Sequence, residues 1–513
     1  MSAASPETYS LFVGGREIAG AAAPRTLLDP ATQEPLAVVH QAGREDARAA
    51  METADRAFRA GGWAGDDGAR RARALFRLAQ LLEEAAPQIA ELESRNQGKT
   101  LREATGDLLF AVRTLEYMAG LADKIEGRAI PVPGARFNYT RAEPLGATVH
   151  IAPWNFPLVL ALRSVAPALA AGNSVVIKPA SLTPLSVLAW ARLAARAGIP
   201  DGIVNVLPGA GAEVGEALVT DPRCRAVSFT GGVEVGQRIA DLAARQRLPV
   251  TLELGGKGPV LVFPDADLDR AARSIGFGIF GNAGQMCWAG SRLLVHTAVR
   301  EPLLERLGAA AARFRVGPGT APGVEMGPLV SPEQKERVLG FLAEAMDGGA
   351  RAVAGGTPYA DGPLARGNFV PPTVLDRLDD GARVLREEVF GPVLAVQEFG
   401  SLEEGLARAN DSRYGLMGSV WTRDLAIAHT VAERLEVGMV TVNEPPLTFP
   451  QSPFGGIKES GLGHEQGRAA VRFYTREKNI LLNVAVPRPK AGGAPGGGAA
   501  PGSYEGKKSP SRP

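Results

Sequence analysis

Cysteine is scarce in this chain, with only Cys224 and Cys287 among 513 residues. Two thiols cannot form a disulfide framework, so the composition excludes a small secreted protein held together by disulfides. The same scarcity indicates a reducing compartment, and we expect the protein to be cytoplasmic.

The chain also lacks an excess of charge, since its formal net charge is only +1. A nucleic-acid or anionic-membrane surface needs a concentrated basic excess, so we expect neither partner. Residues 1–14 contain no basic leader followed by a long apolar core, which argues against an export signal. The longest apolar run, residues 146–162, is interrupted by Pro153, Asn155 and Pro157 and does not resemble a membrane span.

Strands and helices are predicted to alternate through the middle of the chain. Two amphipathic helices, about 43–60 and 69–96, precede this region. Apolar runs then alternate with helical periods; they lie at 146–151, 173–178, 202–207, 225–229 and 249–254. This pattern predicts an α/β fold with a doubly wound, mostly parallel sheet. A second α/β unit is expected over 255–446, and the length of the chain predicts about three domains.

One of the two cysteines lies in an unusual glycine-rich stretch, Phe280–Arg292, which reads FGNAGQMCWAGSR. Glycines around Cys287 allow other atoms to approach the backbone closely, which suits a nucleophile beside a bound molecule. A buried structural cysteine is the alternative. A second stretch, Thr251–Lys257, reads TLELGGK and places Glu253 on the opposite face of a short strand from Leu252 and Leu254. A carboxylate at the end of such a strand can act as a base.

Together these two stretches resemble the active-site signatures of the aldehyde dehydrogenase superfamily, and the resemblance spans about residues 10–487. It implies a Rossmann-like cofactor domain (1–126 and 143–254), an α/β catalytic domain (255–446) and a small β oligomerisation arm. The arm and its bridging segments are expected at 127–142 and 447–487, forming a homodimer or homotetramer. Residues 488–513, rich in Pro, Gly, Ala, Ser and Lys, are predicted to be a disordered tail.

The segment Phe229–Gly236 is a strand that leads through glycines into a helix N-terminus, a geometry that can receive a phosphate. A competing glycine pair, Gly209 and Gly211, is interpreted as a turn. The resemblance implies NAD or NADP as cofactor and no metal. The implied cofactor-binding residues are Ala152, Pro153, Trp154, Lys178, Ser181, Thr230, Gly231, Gly232, Gly236, Leu254, Gly255, Glu388 and Phe390. Ser181 stands where NAD-preferring members carry glutamate, which predicts that NADP is accepted as well as NAD.

The resemblance also implies a mechanism, because the pentapeptide Pro153–Pro157 (PWNFP) matches the oxyanion-hole motif of the family. Cys287 would attack an aldehyde to give a thiohemiacetal, and Asn155 with a backbone N–H would hold the oxyanion. Loss of hydride would leave a thioester, and Glu253 would activate water to hydrolyse it. The alternatives are a cysteine hydrolase, whose histidine base is missing from every motif here, a coenzyme A-dependent relative, and a non-catalytic protein.

The small-molecule aldehyde is less well defined than the reaction. Arg163 falls where succinate-semialdehyde dehydrogenases place a carboxylate-binding arginine, but Gly281 and Ala289 depart from their pattern. Trp288, beside the cysteine, favours an apolar or aromatic aldehyde. Both a semialdehyde and an aromatic or aliphatic aldehyde therefore stay open at this point. His464 stands where arginine is common in the family, and the sequence gives no functional interpretation of that change.

Overall fold

A computed structural model of the chain describes residues 6–65 and 67–485. The chain divides into two compact units. Among the described residues, the larger unit consists of those up to Glu126 together with Ala142–Glu477, and the smaller unit consists of Gly127–Arg141 together with residues 478–485. The predicted tail at 488–513 lies outside the described residues.

Short strands and three long helices form the first part of the larger unit. They are β1 (Glu7–Tyr9), β2 (Leu11–Val13), β3 (Arg16–Ile18), β4 (Ala22–Leu28), β5 (Pro35–Gln41), α1 (Arg44–Arg59), α2 (Gly68–Gln97) and α3 (Leu101–Ala119). The first two helices agree with the sequence prediction, whereas α3 was not predicted. Gly98, with φ of 103°, ends α2, and Thr100 begins α3 with a capping box in which Glu103 takes part.

Two strands, β6 (Ala129–Ile130) and β7 (Arg136–Pro144), come next. The chain then alternates between strands and helices. These are β8 (Ala147–Ile151), α4 (Pro157–Ala170), β9 (Ser174–Lys178), α5 (Leu185–Arg196), β10 (Val204–Val206), α6 (Glu216–Val219), β11 (Cys224–Thr230), α7 (Val233–Arg245) and β12 (Val250–Glu253). The five predicted apolar runs all become strands, and the prediction of a doubly wound sheet is confirmed.

The second half of the larger unit repeats this alternation. Its elements are β13 (Pro259–Val262), α8 (Leu268–Phe280), β14 (Arg292–His296), α9 (Arg300–Arg313), α10 (Pro332–Asp347), β15 (Arg351–Ala354), α11 (Gly362–Arg366), β16 (Thr373–Asp376), α12 (Arg383–Arg386), β17 (Val393–Phe399), α13 (Leu402–Asn410), β18 (Tyr414–Gly415), β19 (Met417–Trp421), α14 (Leu425–Arg434) and β20 (Met439–Val442). The last elements are β21 (Ile457–Lys458), β22 (Gly461–Leu462), α15 (Gly467–Phe473) and β23 (Thr475–Asn483).

Two large sheets organise these elements. The first has the strand order β22-β12-β11-β8-β9-β10-β2-β3, and the second has the order β15-β16-β17-β14-β13-β19-β20. Neighbouring strands from β12 through β10 are parallel, as are all neighbours from β16 through β20. Antiparallel strands occur only toward the sheet edges in these two sheets of the described chain.

Both faces of the first sheet are covered, as the near-continuous apolar strands require. In β9, Val175 and Ile177 pack into one hydrophobic core while Val176 packs into another on the opposite face. The second sheet behaves alike, because Leu293 and Leu294 of β14 enter different cores. This burial fixes the strand register, and with it the residues that emerge at the strand ends.

The register of the first sheet brings several predicted site residues to one edge. Thr230 at the end of β11 pairs with Glu253 at the end of β12, and Ile151 of β8 pairs with Lys178 of β9. Carboxyl ends of parallel strands are where α/β sheets bind ligands. The cofactor residues predicted from separate motifs therefore meet at the edge where binding is expected.

The C-terminal part of the chain contributes to both units. Residues up to Glu477 belong to the larger unit, and β22 joins the first sheet as the antiparallel neighbour of β12. A separate three-stranded sheet has the order β23-β7-β6. Among the described residues, no helix is both long enough and apolar enough to cross a membrane.

Candidate functional site

A cleft of about 470 Å³ opens at the carboxyl edge of the first sheet. Eleven residues singled out from the sequence line it, and they come from both halves of the larger unit: Pro153, Trp154, Asn155, Thr230, Gly231, Gly232, Leu254, Gly255, Cys287, Glu388 and Phe390. Others from the same prediction lie outside its lining: Ala152, Arg163, Lys178, Ser181, Gly236, Glu253 and Trp288.

Cys287 lies half-buried in the loop between α8 and β14. A β-carbon at Gly256 would come within 2.0 Å of the Cys287 carbonyl oxygen, so glycine is required where the TLELGGK segment meets this loop. Burial raises the pKa of the Cys287 thiol to about 12; the positive charge of Arg163 opposes this shift, and the carboxylates Glu388 and Glu253 add to it. The thiol is therefore protonated at neutral pH in this state.

Asn155 is buried between β8 and α4, against the cysteine loop. Its Nδ2 donates to the Gln285 backbone carbonyl oxygen over 2.8 Å, and the backbone carbonyl of Asn155 accepts from Asn282 Nδ2 over 3.1 Å. A side-chain amide has two hydrogens to donate, so one is left for another acceptor. Asn155 and Cys287 thus line one cleft and are joined through the loop that carries the thiol.

Glu253 ends β12 with only 1% of its surface exposed, and both of its carboxylate oxygens lack a hydrogen-bond donor in the described structure. Burial raises the pKa of Glu253 well above its usual range; Arg163 opposes the rise, and the nearby Glu465 carboxylate adds to it. A buried carboxyl without a donor favours its neutral form, and its oxygens are free to bond water or to take a proton.

Arg163 has a partner that lies far from it in the sequence. Its Nε forms a buried ion pair with Glu465, and its guanidinium lies 4.1 Å from the centre of the Phe454 ring. Glu465 also accepts from Ser228 Oγ over 2.8 Å. Nη2 of Arg163 is buried and has no hydrogen-bond partner among the described groups. The predicted carboxylate-binding arginine is therefore already paired with a carboxylate of its own chain.

Trp288 belongs to a row of aromatic rings beside the nucleophile. Its ring centre lies 6.1 Å from that of Phe156 and 5.9 Å from that of Phe454, both in edge-to-face geometry. Lys99 Nζ lies 4.2 Å from the centre of the Phe156 ring. The wall next to Cys287 on this side is therefore largely apolar. Phe156, Phe454 and Lys99 were not predicted as site residues. The sequence signal for the two phenylalanines is that they are aromatic residues within motifs.

The glycine turn after β11 presents a helix N-terminus to the cleft. Gly232 is the N-cap residue of α7 and has no side chain that could bond the first N–H groups of the helix. Both Gly232 and Val233 line the cleft. Free N–H groups at a helix start bind phosphate. A β-carbon at Gly236 would lie 2.4 Å from Leu254 Cδ2, so glycine lets α7 pack against the end of β12.

Glu388 and Phe390 close the cleft from the second half of the larger unit. Glu388 Oε1 accepts from the Gly256 N–H over 2.8 Å. Burial raises the pKa of Glu388 to about 7, opposed by that N–H and by the charge of Lys257. Phe390 has a φ of 57° and lies edge-to-face with Trp154, the ring centres 5.1 Å apart.

Lys178 and Ser181 lie further along the same sheet edge. Lys178 donates from Nζ to the Pro179 carbonyl over 3.0 Å, and burial lowers its pKa to about 8. Ala152 donates its N–H to the Lys178 carbonyl over 3.0 Å. Ser181 Oγ donates to the Gly209 carbonyl over 2.8 Å. Within the described ranges, no three His, Cys, Asp or Glu side chains are grouped so as to hold a metal ion.

Comparisons with known proteins identify the family that the chain resembles. The sequence profile of the aldehyde dehydrogenase family matches residues 19–480. Betaine aldehyde dehydrogenase from Bacillus subtilis is 40% identical over 480 residues, which cover 93% of this chain and 98% of that protein. An aldehyde dehydrogenase from Bacillus cereus, solved with NAD+, superposes with a TM-score of 0.91 at 40% identity, covering 93% of this chain and 97% of that one. Betaine aldehyde dehydrogenase from Staphylococcus aureus, also solved with NAD+, gives a TM-score of 0.91 at 36% identity, covering 93% and 95%. The chain belongs to the aldehyde dehydrogenase family.

Proposed function

We propose that the protein oxidises an aldehyde to its carboxylic acid with NAD or NADP, through a thioester on Cys287. Cys287 and Asn155 line one cleft together with a helix N-terminus that has no side-chain cap, and Glu253 pairs with Thr230 of that cleft. This observation carries the proposal. A cysteine hydrolase would need a histidine base, and none of the cleft-lining residues is histidine.

The residues present fit a dinucleotide. The Thr230–Gly232 turn and the start of α7 offer backbone N–H groups to a pyrophosphate. Relatives of similar fold were solved with NAD+. Thr230, Gly231, Gly232 and the Trp154–Phe390 pair would hold the cofactor, and Glu388 would hold the backbone of Gly255 and Gly256 beside it. When bound, NAD or NADP supplies a hydride acceptor.

Cys287 acts as the nucleophile after its thiol loses a proton. Because the thiol pKa is about 12, the thiol does not lose its proton readily at neutral pH. The positive charge of Arg163 lowers this pKa and so favours the thiolate. As sulfur adds to the aldehyde carbon, the second hydrogen of the Asn155 amide stabilises the developing oxyanion. One such donor contributes about 2.7 to 4 kcal/mol.

Glu253 acts as the base in hydrolysis of the thioester. Both of its oxygens are free of hydrogen-bond donors, so a water molecule can take up that bonding capacity and transfer its proton to the carboxylate. The hydroxide equivalent adds to the thioester carbon, the carbon–sulfur bond breaks, and the acid leaves with the Cys287 thiolate restored.

We propose an apolar aldehyde, aromatic or aliphatic, in preference to a semialdehyde. Arg163 already has a carboxylate partner, Glu465, within the chain, while Trp288 and Phe156 present rings beside the nucleophile. Ranking kcat/KM for benzaldehyde, hexanal, succinate semialdehyde and betaine aldehyde tests this choice. A higher value for either charged aldehyde than for both neutral ones would contradict it.

We also propose that the two large sheets are the cofactor-binding and catalytic domains, and that the smaller unit joins subunits in a dimer or tetramer. In the smaller unit Phe137, Leu481, Leu482 and Val484 expose 44% to 55% of their surface. Exposed apolar groups of this kind are typical of an interface. Light scattering coupled to size-exclusion chromatography measures the assembly, and a monomer would contradict the proposal.

The test of the reaction compares two cysteine variants. Cys287→Ala should abolish aldehyde-dependent reduction of the cofactor while cofactor binding, followed by fluorescence quenching, changes little. Cys224→Ser is the matched control, because Cys224 is buried in β11 with its thiol directed to the Ala226 carbonyl. Wild-type turnover in the Cys287 variant would refute the assignment.

A further inference from the structure

A carboxylate far from the cysteine in sequence contacts the loop that carries it. Glu103, in the first turn of α3, accepts the backbone N–H of Asn282 at Oε1 over 2.8 Å. Its other oxygen, Oε2, accepts the N–H and the hydroxyl of Thr100, each over 2.8 Å. One carboxylate therefore joins the start of α3 to the loop five residues before Cys287.

The loop needs such a contact because its backbone is strained there. Asn282 and Ala283 have φ values of 48° and 51°, two consecutive residues with side chains in the left-handed region. Residues with a β-carbon stay in this conformation only where their surroundings hold them, and strain of this kind collects at functional sites. The Asn282 N–H held by Glu103 belongs to the first of these two residues.

Asn282 passes this constraint to the groups that would perform the chemistry. Its Nδ2 donates to the Asn155 carbonyl, and the Asn155 amide donates to the Gln285 carbonyl over 2.8 Å. Gln285 returns a hydrogen bond from Nε2 to the Asn282 carbonyl over 3.0 Å, and its Oε1 accepts the Val330 N–H over 2.9 Å. Cys287 follows two residues after Gln285, so both thiol and amide depend on this ring of hydrogen bonds.

Glu103 is itself held in place by the buried turn between α2 and α3. A β-carbon at Gly319 would lie 2.1 Å from the Lys99 carbonyl, and one at Gly327 would lie 1.9 Å from the Gly98 carbonyl, so this turn is packed directly on backbone. Lys99 Nζ also pairs with Asp107 of α3 over 2.5 Å. The Glu103 carboxylate is therefore attached to a turn with little room to move.

We propose that Glu103 is a positioning residue that sets the mutual geometry of the Cys287 thiol and the Asn155 amide. It touches neither substrate nor cofactor in this role; it acts through Asn282. The inference rests on the proposed function for its kinetic test, and thiol modification tests it without turnover.

The experiment separates the two roles of the Glu103 carboxylate, which bonds Asn282 and takes part in the cap of α3. Glu103→Ala removes both the bond to Asn282 and the cap of α3, whereas Thr100→Val removes the hydroxyl from the cap and leaves the bond to Asn282. Both variants should lower Tm. Only Glu103→Ala should slow the pre-steady-state burst of reduced cofactor, by about 10- to 100-fold, because small misplacements of reacting groups have effects of that size. The Kd for the cofactor should be unchanged in both.

Two further variants define what Glu103 supplies. Glu103→Gln retains an acceptor for the Asn282 N–H and should keep most of the burst rate despite a weaker cap. Ala283→Gly, placed in the Glu103→Ala background, should recover part of the burst, because glycine adopts the left-handed conformation without an external contact. If Glu103→Ala does not fold, Glu103→Asp withdraws the carboxylate from Asn282 by one methylene and takes its place.

The rate at which iodoacetamide alkylates Cys287, measured in a Cys224→Ser background, reports on the geometry of the thiol without requiring turnover. We expect a changed rate in Glu103→Ala and a wild-type rate in Thr100→Val. Equal burst rates and equal alkylation rates in these two variants would overturn the role of Glu103. Absence of any aldehyde-dependent reduction of the cofactor by the wild type would instead contradict the proposed function, and the alkylation comparison would still decide on Glu103.

Discussion

Two carboxyl groups lie near Cys287, the buried Glu253 and the half-buried Glu388, and they are held in different ways. Glu253 ends β12 of the first sheet, and Glu388 lies between α12 and β17 of the second half. Burial raises the pKa of both, and both raise the pKa of the Cys287 thiol. Glu388 receives the Gly256 N–H, however, whereas neither oxygen of Glu253 has a hydrogen-bond donor among the described residues.

The difference shows how hydrogen-bond donors divide two similar carboxyls between two tasks. A carboxylate that accepts a backbone N–H is fixed in orientation, and Glu388 thereby holds the turn at Gly255 and Gly256 in place. A carboxylate without a donor keeps its lone pairs for a mobile molecule such as water. Glu253 has instead the longer-range charge of Arg163 to favour its ionised form.

The largest expected effect comes from replacing Glu253, the carboxylate that has no hydrogen-bond donor and acts as the base. Glu253→Gln should lower steady-state turnover by about 10²- to 10⁴-fold, because an amide cannot take a proton from water. The burst of reduced cofactor, one equivalent per active site, should persist when followed by stopped-flow absorbance. A variant that loses the burst as well would place Glu253 in an earlier step, such as removal of the thiol proton.

The charge behind Glu253 gives a paired prediction with opposite signs. Hydrolysis needs ionised Glu253, so its rate rises with pH through the pKa of that carboxyl. Arg163 lowers this pKa and Glu465 raises it. Arg163→Met should therefore move the midpoint of the pH–rate profile for hydrolysis upward, and Glu465→Gln should move it downward.

Stability provides a check on the same pair. Arg163→Met leaves Glu465 as a buried carboxylate without its ion-pair partner, which should lower the free energy of unfolding by about 3 to 5 kcal/mol. Urea denaturation measures this loss. Midpoints that shift in the same direction for both variants would show that the pair does not act on Glu253 through its charge.

Glu388 should be less sensitive to the loss of its charge. Glu388→Gln keeps an acceptor for the Gly256 N–H, so we expect turnover to fall by less than about tenfold, while removal of a neighbouring negative charge lowers the pKa of the Cys287 thiol. Faster alkylation of Cys287 at neutral pH measures that shift. Glu388→Ala is the comparison, because it leaves the Gly256 N–H without a partner at a cost of about 1 to 3 kcal/mol. Equal effects of the two variants on cofactor KM would contradict an anchoring role.

The parts of the fold and site that could be predicted from sequence are those encoded locally. Apolar runs separated by helical periods sufficed for the five parallel strands of the first sheet, because parallel strands buried on both faces are continuously apolar. Cys287, Glu253 and Asn155 each lie in a short motif, and the structure places two of them in the cleft lining with the third at the end of the adjoining strand.

Pairings between distant residues could not be predicted in the same way. Glu103 and Asn282 are 179 residues apart, and Arg163 and Glu465 are 302 residues apart, so nothing in either neighbourhood indicates the other. The start of α3 did carry a local signal, since Thr100 and Glu103 have the spacing of a capping box. The inclusion of β22 in the first sheet has no local signal, because two residues of an edge strand are set by their partner.

The smallest expected effect concerns cofactor choice, and it lies at a position that the structure gives a competing contact. Ser181 Oγ donates to the Gly209 carbonyl over 2.8 Å, so its hydrogen must leave that acceptor before it can bond a 2′-phosphate. Lys178, whose pKa burial lowers to about 8, still carries a positive charge for most molecules at neutral pH. We therefore expect NADP to be used as well as NAD. A hydrogen bond to a charged group contributes about 1.5 to 3 kcal/mol, and breaking the bond to Gly209 offsets about 0.5 to 1.5 kcal/mol of it.

Ser181→Glu should lower kcat/KM for NADP much more than for NAD, because a carboxylate repels the phosphate and accepts from ribose hydroxyls. Ser181→Ala is the control, since it frees the Gly209 carbonyl without adding charge. An equal loss with both cofactors in the glutamate variant would show that Ser181 does not meet the 2′ position and serves only to tie its loop to Gly209.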